Sequence, residues 1–228
     1  MRKPTVVTLS LLFIVVIAAT AQESSPNKII NRFELVGGPS FSSNTGYLGE
    51  YDSKFGGSFG VGYYQKIYKS FSLNIRTLHE LKGSVTNYPA GLSDGSGTDL
   101  NINDKFTTKF SYLTFYLMPT LQLGKNKNIY IGAGGYYSFL HRLSVNRYRT
   151  NSETGEFIEE TTTNDTNYFD PNHDFGVTFQ LGYSFKISNK CQLMLQAFSN
   201  RGLADLYNPS MGSQRNNTYG VLLSVRMR

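Results

Sequence analysis

Residues His173–Ile187 read HDFGVTFQLGYSFKI. Every second residue from Phe175 is apolar or aromatic: Phe175, Val177, Phe179, Leu181, Tyr183, Phe185 and Ile187. The alternate set is Asp174, Gly176, Thr178, Gln180, Gly182, Ser184 and Lys186, without a large hydrophobe. A period of two marks a β-strand with two unlike faces. The fold turns on what the apolar face touches, a protein core or lipid.

Seven further segments carry the same period: residues 32–41, 54–65, 71–82, 109–123, 128–143, 191–203 and 218–228. In 54–65, Phe55, Phe59, Val61 and Tyr63 oppose Ser58, Gly60 and Gly62. In 128–143, Ile129, Ile131, Ala133, Tyr137 and Phe139 oppose Gly132, Gly134, Ser138 and Arg142. In 218–228, Tyr219, Val221, Leu223, Val225 and Met227 oppose Gly220, Ser224 and Arg226. The connections alternate strictly. Those at 66–70, 124–127 and 188–190 are short; those at 42–53, 83–108, 144–172 and 204–217 are long. Short turns on one side and long loops on the other are the pattern of outer-membrane barrels.

Face composition points the same way. A soluble eight-stranded barrel turns its apolar face inward and shows charged residues to water. Here the second face is rich in Gly, Ser, Thr, Gln and Asn, as the narrow interior of a small membrane barrel requires. Its scattered charges are of both signs: Glu34, Arg76, Glu80, Lys186 and Arg226. They are expected to pair in a polar lumen together with Gln180, because an unpaired buried charge is costly. Phe175, Val177, Phe179, Leu181 and Phe185 are expected to face lipid. Each strand is read as roughly ten residues, the length a tilted strand needs to cross a bilayer. Tyr63, Tyr130, Tyr137, Tyr183 and Tyr219 are candidates for an interfacial girdle.

The expected fold is therefore an all-β, eight-stranded antiparallel transmembrane β-barrel. It is an up-and-down meander with short periplasmic turns and long extracellular loops. The opening MRKPTVVTLSLLFIVVIAATAQ has a basic start, a short apolar stretch and a small-residue site at Ala19-Thr20-Ala21. It reads as a signal peptide over 1–21, followed by a short periplasmic segment, 22–31, and the barrel domain, 32–228. The alternative architecture is a soluble exported lipocalin-like binding barrel.

Composition narrows the chemistry. The net charge of +6 has no Lys/Arg-rich run with interleaved aromatics, which argues against nucleic acid as a partner. The single cysteine, Cys191, permits no intrachain disulfide and reads as a small residue at a strand start. An outer-membrane enzyme, an acyltransferase or a protease-like barrel, would draw on His79, His141 and His173, with Asp170, Asp174 and Ser138 as neighbours. No recognised catalytic motif surrounds them, so no catalytic residue, cofactor or metal is assigned. Asp94, Asp99 and Asp104 lack EF-hand spacing and read as a solvated loop. Glu153 to Asp170 reads the same way. Gly132-Ala133-Gly134-Gly135 lies mid-strand, where glycine permits close packing.

YLTFYLMPTLQLGKNKNIYIGAGGYYSFL (112–140), SNRGLADLY (199–207) and NTYGVLLSVRMR (217–228) resemble the PorT-like outer-membrane β-barrel proteins of Bacteroidota. Named members of that family are linked to protein secretion or gliding. The resemblance implies a structural, scaffold or accessory role associated with secretion, and it transfers no catalytic residue. Gly220, Leu223 and Val225 resemble the strand that barrel-assembly machinery recognises, although a terminal aromatic is replaced by Arg228. The implied partners are outer-membrane lipid and lipopolysaccharide, the barrel-assembly machinery and secretion-system proteins.

Overall fold

The computed structural model describes residues 31–46, 52–93, 99–163, 173–188, 190–205 and 214–227. The expected signal peptide and residues 22–30 lie outside them, as do Asp94 and Asp170. The strands are β1 (Asn31–Gly46), β2 (Asp52–Tyr68), β3 (Phe71–Ser93), β4 (Asp99–Leu123), β5 (Ile129–Asn151), β6 (Phe157–Thr163), β7 (His173–Lys186), β8 (Cys191–Gly202) and β9 (Gln214–Met227). The first already begins at Asn31, one residue before the expected boundary.

Each strand except β6 pairs antiparallel with a neighbour on both sides. The β4–β5 pairing and the β1–β9 pairing close eight strands into a ring, so no edge is left in the membrane. The β2–β3 and β4–β5 turns place a left-handed residue where each reverses: Lys69 and, after Gly124, Lys127.

The two faces separate as the period-two reading requires. Phe33, Phe55, Phe59, Phe179, Leu181 and Tyr219 are among the large apolar side chains left exposed on the outside. Glu34, Ser72, Arg76, Thr114, Gln196 and Ser224 are buried inside. A soluble lipocalin-like barrel needs the reverse arrangement, because exposed apolar surface of this extent is not tolerated in water. Glycines let neighbouring strands approach closely. A Cβ on Gly134 would stand 2.1 Å from the Leu117 carbonyl oxygen.

Three expectations about length and facing are corrected. First, the long connections 83–108 and 144–172 are largely strand. β3, β4 and β5 run for 23, 25 and 23 residues, well beyond the ~10 needed to span lipid. Residues 99–104 are not a loop, and the acidic stretch supplies the ninth strand, β6, which pairs only with the upper part of β5. A four-stranded wall, β3-β4-β5-β6, thus continues past the ring. Asp104 is buried in it against Arg147 and Arg149.

Second, β5 carries a bulge at His141, since Ser111 pairs Arg142 while Tyr112 pairs Leu140. The extra residue shifts the alternation. Arg142, expected on the lumen face, is exposed, and Leu143 is buried against Phe110. Third, Tyr130 is not a girdle residue. It is 4% exposed and points inward. Tyr137, Tyr183 and Tyr219 do lie on the outer surface.

Candidate functional site: the barrel lumen

The inward side chains form two polar storeys with an apolar floor between them. The lower storey lies towards the short turns. Glu34 of β1 is its centre, because β1 is flanked by β2 and β9 and its inward side chain reaches across to β3. Arg76 Nη2 donates to Glu34 Oε1 at 2.6 Å, and Arg76 Nη1 donates to Gln180 Oε1 at 2.9 Å. Asn74 Nδ2 and Arg226 Nη2 donate to Glu34 Oε2 at 3.2 and 3.5 Å. Gln196 Nε2 donates to Glu34 Oε1 at 3.3 Å and to Ser224 Oγ at 2.6 Å. The Arg226 guanidinium lies 3.7 Å from the Tyr64 ring centroid, a cation–π contact. One carboxylate is thus bound by two guanidiniums.

Val36, Leu78, Tyr116, Tyr136, Phe198 and Leu222 make the floor. Above it, Glu80 is held tightly. Tyr116 Oη donates to Glu80 Oε1 at 2.6 Å, Thr114 Oγ1 to Oε2 at 2.7 Å, and Lys82 Nζ stands 3.1 Å from Oε2. Lys82 also stands 3.5 Å from Asp174 Oδ2 and packs over the Tyr136 ring at 4.9 Å. Here two carboxylates share one ammonium. All of these charged groups are buried.

Of the expected lumen residues, Glu34, Arg76, Glu80, Gln180 and Arg226 lie in these storeys. Lys186 does not. It is exposed, because it is the last residue of β7 and lies one inward step beyond the buried Ser184, at the short-turn rim below the lower storey. Lys82 and Asp174 were not expected as lumen charges. The signal was present in each case. Lys82 follows Glu80 by two residues, and Asp174 precedes Gln180 by six, so both keep the inward parity.

On the outer face, Phe175, Phe179, Leu181 and Phe185 are exposed and Val177 is half-buried. In β9, Leu223 is exposed, and Gly220 and Val225 are half-buried. The histidines lie on this outer side. His79 and His141 approach with ring centroids 5.1 Å apart, beside Phe59, and His173 stacks on Tyr137 at 5.8 Å. Ser138 and Asp174 are register partners facing inward, with Ser138 Oγ 2.9 Å from Thr114 Oγ1. The sheet therefore stands between the histidines and the serine and aspartate once considered as their neighbours. Cys191 is half-buried at the start of β8.

The protein family described as outer membrane protein beta-barrel domain matches residues 20–208. No curated protein matches the chain. Among solved structures it is similar to the attachment invasion locus protein Ail of Yersinia pestis, with 10% identity over 86% of this chain and 99% of that one, at a TM-score of 0.39. It is similar to Neisserial surface protein A, with 11% identity, coverage of 86% and 96%, and a TM-score of 0.40. The corresponding values for OprG of Pseudomonas aeruginosa are 11%, 87% and 96%, and 0.37.

Proposed function

The chain belongs to the outer membrane protein beta-barrel domain family and to the outer membrane, and from that premise we propose that it is a non-conducting scaffold. It anchors the β3-β4-β5-β6 wall on the cell surface and serves as an accessory component of a secretion assembly. One observation supports this above the others: buried side chains close the lumen at two levels. Glu34, Arg76 and Arg226 close its lower part, and Leu78, Tyr116, Phe198 and Leu222 its middle. Eight strands leave an interior that side chains fill, so transport of a solute would require both layers to part.

The secretion assignment rests on the resemblance to PorT-like barrels of Bacteroidota. Lipid and lipopolysaccharide meet the outer face, the assembly machinery reads β9, and secretion partners meet the projecting wall. No reaction is assigned.

The test has two arms. The purified protein is reconstituted in a planar bilayer and held under voltage. The expected record shows no steady single-channel current; stable channels at neutral pH would overturn the closed-scaffold reading. In the second arm, the proteins released by cells lacking the barrel are compared with those of complemented cells. An unchanged set of released proteins would overturn the secretion role and leave the closed scaffold standing.

A further inference from the structure

The two storeys are unequal in charge. Below the floor, Arg76 and Arg226 face one carboxylate, Glu34; above it, Glu80 and Asp174 face one ammonium, Lys82. The upper storey therefore carries one surplus negative charge among these buried groups. The surplus falls on Asp174. Glu80 has close partners at 2.6 and 2.7 Å, whereas those of Asp174 all stand off. Asn216 Nδ2 is at 3.3 Å, Tyr136 Oη at 3.4 Å and Lys82 Nζ at 3.5 Å. Its side chain is 0% exposed. A buried carboxylate this loosely held is expensive unless something further neutralises it.

Unpartnered oxygens line the same inward face on the neighbouring strands β8, β9 and β1. Asn44 has both amide atoms unpaired, and Asn200 Oδ1, Asn216 Oδ1 and Thr218 Oγ1 have no hydrogen-bond partner. These four residues are each 1–2% exposed. They are neighbours in register: Asn44 opposes Asn216, and Thr218 opposes Asn200 one pleat lower. Two of the carboxamides are oriented by their own nitrogens. Asn200 Nδ2 donates to Tyr116 Oη at 2.7 Å, and Asn216 Nδ2 donates to Asp174. Their oxygens are thereby left to accept. Gly202 keeps this corner open, since a Cβ there would stand 3.3 Å from Asp174 Oδ1 and 2.6 Å from the Asn216 carbonyl oxygen. Buried acceptors in this number require a donor or a cation.

We propose that the upper storey is a binding site for a monovalent alkali cation, held by Asp174 and by the oxygens of Asn44, Asn216, Thr218 and Asn200. Hard oxygen donors suit such an ion. One surplus charge matches a single positive charge, and Lys82 on the same carboxylate opposes a doubly charged ion. The site adds a ligand to the closed lumen and does not depend on the secretion role.

The whole protein in detergent micelles is melted in sodium, potassium and choline chloride at one pH and one ionic strength. A ligand that binds only the folded barrel raises its melting temperature saturably. The expected result is an upward, saturable shift in sodium or potassium over choline. That shift is lost in Asn44→Val and Asn216→Leu, while heat-modifiable migration on a denaturing gel persists. Identical melting in all three salts would overturn the proposal; the storey would then hold ordered water, with a proton on Asp174. In an added calcium chloride series at the same ionic strength, a shift there with none in sodium or potassium would overturn the monovalent assignment. If neither variant refolds, sodium-23 line broadening by the wild-type protein, competed by potassium or lithium, decides in its place, and no broadening or competition counts against the site.

Discussion

Phe179 and Gln180 are chain neighbours on opposite sides of one sheet, 57% and 5% exposed. Lipid meets the first and the Arg76 guanidinium the second. Phe179→Arg near the middle of β7 should cost about 2–4 kcal/mol of folding stability, the penalty for a cation at the bilayer midplane. Gln180→Ala removes one acceptor from Arg76 and should cost about 1–3 kcal/mol. Urea titrations of folding into lipid vesicles measure both, and equal tolerance of the two changes would contradict the assigned faces. Glu34→Ala should be the more damaging lumen change, at about 3–5 kcal/mol, since it strands two buried guanidiniums at once. Glu34→Gln should recover part of that loss by keeping the acceptor for Arg76. If Glu34→Ala melted like the wild type, water would be screening the lower storey, and the filled lumen would have to be abandoned.

At the scale of the strand, β5 contains both what the sequence made readable and what it hid. From Ile129 to Phe139 its faces follow the simple alternation, and Ile131, Tyr137 and Phe139 point outward as read. Beyond the bulge at His141 the same rule puts every residue on the wrong side, because a bulge depends on the partner strand and leaves no period of its own. The strand extensions of β3 and β4 were hidden for a related reason. Thr, Asn, Lys and Asp above the lipid need no apolar face, so the pattern that marks a membrane strand fades where water begins. The lumen charges Glu34, Arg76, Glu80 and Arg226 were readable because polarity at inward parity has few other meanings; Lys186 had the parity but lay one step beyond the last buried inward residue, Ser184. A deletion pair tests the bulge. Removing His141 leaves Leu140 and Leu143 inward and Arg142 outward, so the barrel should still fold and show heat-modifiable migration. Removing Ala133 from the regular part of β5 reverses half the strand, turning Ile131 or Tyr136 to the wrong face, and should abolish folding. Failure of both deletions alike would mean that the bulge does not absorb the extra residue.

The whole molecule depends on a closure that no local pattern specifies: the first strand must find the last. Leu35 and Val225 are direct partners across the β1–β9 seam, separated by nearly the whole length of the barrel chain, and both point outward. Directly opposed residues of antiparallel strands lie about 4.5–5.5 Å apart between Cα atoms, within the range a disulfide spans. With Cys191→Ser removing the native thiol, Leu35→Cys and Val225→Cys should therefore oxidise to one crosslink in the folded protein and not in the urea-unfolded chain. Because that bond closes a very long loop, it should stabilise the fold by roughly 5 kcal/mol on the loop-entropy account, and so raise the melting temperature. After boiling without reductant, the crosslinked chain should run as a compact circle, faster than its reduced form. The control is a one-residue slip: Leu35→Cys with Ser224→Cys sets one thiol on the outer face and the other in the lumen, where it should stay unbridged. Efficient crosslinking of the slipped pair, with none of the aligned one, would show that β1 and β9 meet in another register. The alignment of Glu34 with Arg226, and with it the charge balance of the lower storey, would then be lost.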